Sequence, residues 1–384
     1  AVSEQLIVGT NDRSYYSQGI QSDLVVNLNL FNIEHVLNTG VRIHQDQITR
    51  GHFEQNYLML SSIMTPDNIG TYFTTQNKET TDTISLYFED TIKLNALELT
   101  AGARAEILDS EYQNLSDGKE DDWLKKQSTT WLYSLSAFYS VNDQLGLFAG
   151  VHEGYVPTSP KQAPAIKPEQ SINYELGARF NNGVTKLESV LFFNDFDNLK
   201  ESCSVSAGCN TDLEFNAGAV DIYGLEATFS DSYSINQHLS VPWSLAYTHT
   251  ESEFKDSFYS DFTQWGFVNE GDGVPYLADD MLTVSLGLAA NQWQLSLLLS
   301  YTSEMKESAQ TALTGDSRDS ALAGLRTDGY TMVDLSGYYD LTSHSQLYAK
   351  VDNLFDTATI VSRRPYGARP TKARQFQVGY KFRF

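Results

Sequence analysis

The chain has 384 residues, a formal net charge of -23 and a mean hydropathy of -0.34, a size that suits either two or three ordinary domains or one large barrel. It holds no apolar run near the ~18 residues that a membrane-crossing helix needs, which excludes a helical membrane protein but not a β-barrel, where only alternate strand residues are apolar. The acidity argues against a nucleic-acid partner, because phosphate neutralisation calls for Lys and Arg clustered on one face.

Read for period two, the chain yields about sixteen strands whose connections alternate between short turns and long polar segments. The opening, Ala1-Val2-Ser3-Glu4-Gln5, lacks the basic start and apolar core of a signal peptide, so the chain reads as a mature protein or part of one. An early strand carries Gly40-Val41-Arg42, and the polar stretch 49–80 reads as a long loop. A turn near Asn95 leads to a strand with Gly102-Ala103-Arg104, and residues 109–128 form the next long segment. Turns follow near Asn142-Asp143, Asn181-Asn182-Gly183 and Ser343-His344, each using residues that tolerate turn geometry. Between them lie long segments at 156–169, 196–216, 251–277, 303–328 and 355–372.

Two stretches show the alternation most plainly. Leu282, Val284, Leu286 and Leu288 face one way on one strand, and Trp293, Leu295, Leu297, Leu299 and Tyr301 do so on the next, across Ala290-Asn291-Gln292. The final segment, Gln375 to Phe384, puts Phe376, Val378, Tyr380, Phe382 and Phe384 on one face and Gln377, Lys381 and Arg383 on the other. Short turns on one side, long loops on the other and apolar-out, polar-in strands describe an all-β fold, a transmembrane antiparallel barrel. An amphipathic strand of a soluble sandwich is the alternative for the last segment taken alone. The 22 Tyr, 20 Phe and 5 Trp would serve as aromatic girdles at two membrane interfaces.

By parity, Arg42, Arg104 and Arg179 share the polar side of their strands with Glu98, Glu106, Glu175, Lys186, Glu188, Glu226, Asp334, Lys350 and Asp352. Buried charges must be paired or hydrated, so this face lines water, a charged plug, or both. The two cysteines, Cys203 and Cys209, lie in one Ser- and Gly-containing loop and are expected to close a small disulfide in an oxidising compartment. The seven His have no paired zinc spacing, and neither a Gly-x-Ser-x-Gly elbow nor a phosphate loop occurs. The Asp-rich loops lack calcium-loop spacing. No catalytic group, metal site or cofactor is expected.

Several motifs resemble those of one family. They are Lys167-Pro-Glu-Gln-Ser-Ile-Asn-Tyr-Glu-Leu-Gly-Ala-Arg179, Leu191-Phe-Phe-Asn-Asp-Phe-Asp-Asn-Leu199, Phe215-Asn-Ala-Gly218 with Gly224-Leu-Glu226, and Val351-Asp-Asn-Leu-Phe-Asp356 followed by Arg363-Arg-Pro-Tyr-Gly-Ala-Arg-Pro370 and the aromatic terminus. In this order and spacing the chain resembles the barrel of TonB-dependent outer-membrane receptors, nearest the ferric-citrate and siderophore receptors. The resemblance implies a 22-stranded barrel filled by an N-terminal plug, a coupling peptide for the TonB complex, and energy-driven uptake of an iron chelate. About sixteen strands with no plug-like stretch lead us to expect residues 1–384 to be the C-terminal part of such a barrel, its plug and first strands lying outside the sequence. A plug-free porin with an open lumen is the alternative.

The resemblance further implies a Gram-negative outer membrane with its lipopolysaccharide, a monomer, and a ferric siderophore or ferric citrate as transported ligand; haem, cobalamin or a saccharide are the other cargoes. For an anionic chelate, cations at the mouth favour capture, which points to Arg363, Arg364 and Arg369 in the last long loop, with His152 and Tyr155 as further candidates. The bland reading of these arginines is pairing with loop acids. Arg42, Arg104 and Arg179 are expected to hold a plug or organise lumen water. An outer-membrane hydrolase would need Ser and His in register on adjacent strands, and no such pair is evident.

Overall fold

A computed structural model describes all residues except 1–2, 117–122, 163–164, 203–213, 217, 261–265, 310–325 and 364–367. The Cys203–Cys209 pair therefore lies outside the described residues. Those described contain strands, turns and irregular chain and no helix. They fall into two compact units, Ala1–Lys93 with Thr100–Ser134 and Pro157–Lys167, and Leu94–Leu99 with Leu135–Val156 and Pro168–Phe384.

In the first unit, β1 (Ser3–Gly9) and β2 (Arg13–Leu30) both pair with β3 (Ile33–Leu60), which pairs with β4 (Ile63–Leu94). Neighbouring strands β5 (Leu97–Asn114) and β6 (Trp123–Ser140) follow in the order of the sheet. Every pairing with a described register is antiparallel. The expected loop at 49–80 is not a loop. β3 and β4 are 28 and 32 residues long and run straight through it, joined only by Ser61 and Ser62, whose φ values of 47° and 67° make a two-residue hairpin turn. A bilayer needs about 9–11 strand residues, so this hairpin continues well past any lipid band.

Apolar alternation marks that band. On β2, β3 and β4 the face shared by Ile20, Ile43 and Ile84 is mostly apolar toward the turns at Phe31–Asn32 and Asn95. Beyond the isoleucines stand Gln18, Gln45 and Asp82, which hydrogen-bond across the strands. Ile20 is 81% exposed and Ile43 57%, which in a membrane means exposed to lipid.

The second unit contains β7 (Leu145–Val156), β8 (Glu169–Asn181), β9 (Lys186–Asp197), β10 (Lys200–Ser202), β11 (Glu214–Asn216), β12 (Val220–Asn236) and β13 (Leu239–Phe254). It continues with β14 (Phe258–Tyr259), β15 (Phe267–Val268), β16 (Asp280–Ala290), β17 (Trp293–Thr302), β18 (Tyr330–Thr342), β19 (Ser345–Asp352), β20 (Ile360–Ser362), β21 (Arg369–Pro370) and β22 (Gln375–Phe382). Its main sheet runs β7-β8-β9-β12-β13-β16-β17-β18-β19-β22, while the short strands form three hairpin-like pairs in the long connections. Among the described residues the main-sheet strands number sixteen, as the alternation predicts.

Register carries the lipid face from strand to strand. Leu286 stands opposite Leu297, Leu297 opposite Leu335, Leu335 opposite Val351, and Val351 opposite Phe376. The turns form as their residues dictate: Asn182 Oδ1 accepts from the Val184 and Thr185 amides, and Asn142 Oδ1 from those of Gln144 and Leu145. Because both sheet faces are committed, one to lipid and one to polar groups, the apolar core of this unit sits at strand ends and in the long connections beyond them. There Val220, Phe254, Val268 and Ala309 are buried, with Phe196, Leu199, Ile222, Phe258 and Val274 packed on them.

Candidate functional site

The three Gly-x-Arg segments put their arginines on the polar face in three different settings. Gly177 lies opposite Phe148, and a Cβ at Gly177 would come 2.3 Å from Phe148 Cζ, so the ring lies across the glycine. The Arg179 guanidinium stands 5.6 Å from the centroid of that ring and pairs with Glu188 on the next strand. Gly40 likewise lies under Tyr87, but the cation over that ring is Arg104, at 5.6 Å, held 2.5 Å from Glu106. Glu106 also accepts from Ser85 Oγ at 2.6 Å. Arg42, opposite Gln21 and Ser85, is exposed. Arg104 and Arg179 are thus committed to acids and rings, and Arg42 is the open one.

Further along the same face of β3 comes a group that the loop expectation for 49–80 missed. Arg13 and Arg50 are direct cross-strand partners. Arg13 Nε donates to His52 Nε2 at 3.2 Å, and Arg50 Nη1 donates to Asn77 at 3.0 Å and Glu79 at 3.4 Å. The β1–β2 junction is pinned beside it, with the Thr10 amide bonded to the Phe53 carbonyl and the Gly51 amide to that of Asp12.

Of the loop arginines, Arg363 donates through Nη1 to Glu307 Oε1 at 2.5 Å and to the Arg326 carbonyl at 2.9 Å, while Arg326 itself pairs with Glu304 at 2.7 Å. Arg369 is exposed in β21, and Arg364 lies outside the described residues. His152 is exposed on the polar face of β7, opposite Asn173; Tyr155, three residues on, falls on the other face. No contact among the described residues joins either to Arg363. The Asp352-Asn353 corner is organised instead: buried Asn353, with φ at 50°, bonds through its side chain to both Thr357 backbone groups and the Lys372 carbonyl, and Lys350 and Lys372 hold Asp352.

On the other face of β13, the apolar alternation of Val241, Trp243, Leu245 and Tyr247 ends at His249 and Glu251. Asp280 accepts from Tyr247 Oη at 2.7 Å and lies 2.9 Å from His249 Nδ1, while Glu251 lies 3.3 Å from His249 Nε2 and accepts from Tyr223 Oη at 3.1 Å. Asp280, and after it Glu251, holds the His249 imidazole above its ordinary pKa; Tyr247 and then His249 hold the Asp280 carboxyl below the usual range. A cleft of about 350 Å³ beside this network is also lined by Asp279, Lys306 and Arg326.

Residues 4–354 match the family described as TonB dependent receptor-like, beta-barrel. The chain belongs to this family. The TonB-dependent receptor barrel resembles the pesticin receptor of Yersinia pestis, 25% identical over 232 residues that make up 59% of this chain and 31% of the relative. It also resembles the iron-regulated outer membrane virulence protein of Vibrio cholerae, 28% identical over 202 residues, 50% of this chain and 28% of the other. Among solved structures, the ferric-catecholate import receptor Fiu of E. coli superposes with a TM-score of 0.73 at 18% identity, covering 97% of this chain and 55% of Fiu. The unliganded ferric citrate transporter FecA gives 0.72 at 18% identity, covering 98% and 55%. These likenesses show the fold. The chain spans about a third of the length of these curated relatives and about half that of the solved receptors.

Proposed function

We propose that this chain is the C-terminal barrel portion of an outer-membrane receptor that takes up a ferric chelate, a siderophore or ferric citrate, with energy delivered through TonB. The observation that carries the reading is the family match over residues 4–354. The charge-paired polar face with its Arg104–Glu106 and Arg179–Glu188 pairs supports it, because a face so charged serves water and polar cargo rather than a dry core. The setting is a Gram-negative outer membrane, with lipopolysaccharide against the apolar face. The receptor works as a monomer and moves its ligand without making or breaking covalent bonds. The plug and TonB-contacting region belong to the rest of the receptor. The test is uptake of radioactive iron, supplied as ferric citrate or a ferric siderophore, by iron-starved cells expressing the full-length receptor. Uptake that disappears on deleting TonB is expected; open single-channel conductance with TonB-independent uptake would replace this reading with a passive porin.

A further inference from the structure

We infer that Arg13, Arg50 and His52 form an anion-binding site that captures a carboxylate-bearing chelate, a reading that deepens the proposed function and rests on it. Like charges set directly opposite on neighbouring strands disfavour a sheet, and Arg13 faces Arg50 in this way. Among the described residues an acid meets only one of the two, Glu79 on Arg50. Arg50 is shared between Asn77 and Glu79, and the described bond of Arg13 is to a ring nitrogen of His52, an acceptor without charge. Arg13, Arg50 and Glu79 sum to one net positive charge in a chain whose overall charge is -23. An incoming carboxylate would relieve the repulsion through charge-assisted hydrogen bonds that a forked guanidinium suits.

Position supports the same assignment. The group stands on the polar face of β3, beyond the apolar band that ends near Ile43, and Arg42 occupies that face further down the same strand. Four cations of the long connections are already paired: Arg363 is taken by Glu307, Arg326 by Glu304, Lys372 by Asp352 and Lys255 by Asp195. Fixing Thr10 and Gly51 to their neighbours holds Arg13 and Arg50 in place before a ligand arrives.

The experiment measures binding to the purified full-length receptor by tryptophan fluorescence, using ferric citrate, a neutral ferric hydroxamate and iron-free citrate as probes. Arg13→Gln and Arg50→Gln should each weaken ferric citrate by at least about tenfold, and Arg13→Lys should keep most of the affinity. Circular dichroism and heat-modifiable gel migration check that each variant folds. Unchanged ferric citrate affinity in folded Arg13→Gln overturns the site while leaving the proposed function standing. Wild-type binding of the neutral chelate alone does the same. If the wild type binds no ferric chelate, the chelate reading fails, and iron-free citrate decides the site separately: binding lost in Arg13→Gln upholds it, and no binding overturns it.

Discussion

Arg363 reaches 56 residues back along the chain to place Nη1 2.5 Å from Glu307 Oε1, and the carboxylate it meets is wholly buried. The pair ties the connection after β17 to the connection after β19. A cation that the sequence offers for ligand capture therefore serves first to neutralise a buried acid. Removing one partner of such a pair leaves an uncompensated charge, which costs roughly 3–5 kcal/mol.

The first prediction concerns that pair. Arg363→Ala should loosen both connections, seen as faster limited proteolysis within 303–309 and 353–363, whereas Arg363→Ala combined with Glu307→Gln should recover much of the resistance because no buried charge is left alone. Equal protection in wild type and Arg363→Ala would show that the pair does not hold the loops.

The second tests the register. Leu297 sits between Leu286 and Leu335 on the apolar face, with Ser296 on the polar face between Gly287 and Ser336. Leu297→Arg should lower stability by roughly 2–4 kcal/mol in a lipid refolding titration if it lies at mid-membrane, and Ser296→Arg should cost much less. Equal tolerance at both positions would contradict the assigned faces.

Glycine-ring packing gives the third. A Cβ at Gly177 would stand 2.3 Å from Phe148 Cζ, so Gly177→Ala should cost about 1–3 kcal/mol through overpacking. Adding Phe148→Ala should make the alanine at 177 nearly neutral. A double-mutant cycle with no coupling would remove the ring from over the glycine.

The fourth is a pH dependence. Because His249 has a raised folded pKa, its stabilising contribution is fully present below its unfolded value of about 6.5 and is lost as pH rises through the folded value. Because Asp280 has a lowered one, its contribution is present above about 3.9 and is lost as pH falls through the folded value. Both are in place in mildly acidic solution. The stability lost on His249→Gln should therefore be larger at pH 5.5 than at pH 9, measured by urea titration; a loss independent of pH would mean the imidazole is not charged in the network.

The alternation in Gln375–Phe382 and in the hairpin of β16 and β17 was legible because a strand's two faces are set by period two, a property local to each segment. The Asn-rich turns were legible for the same reason, since their side chains bond their own backbone. The hairpin tip of β3 and β4 was not, because Ser61-Ser62 carries no glycine or asparagine, and polar strands that leave the lipid band lose the apolar alternation that marks them. The motif at Asp352-Asn353 could be seen, while its reason, a buried amide satisfying three backbone groups, could not.

By itself the sequence determined an all-β chain with one apolar and one polar face to its strands, and it pointed to the receptor family through motifs in a set order. Only the tertiary structure decided which charges meet. Arg363 with Glu307, Arg104 over Tyr87 and Arg13 against Arg50 each depend on strand register or on loops meeting across tens of residues. A charge's partner is set by distance in space, and spacing along the chain fixes that distance only within a turn or a single strand face.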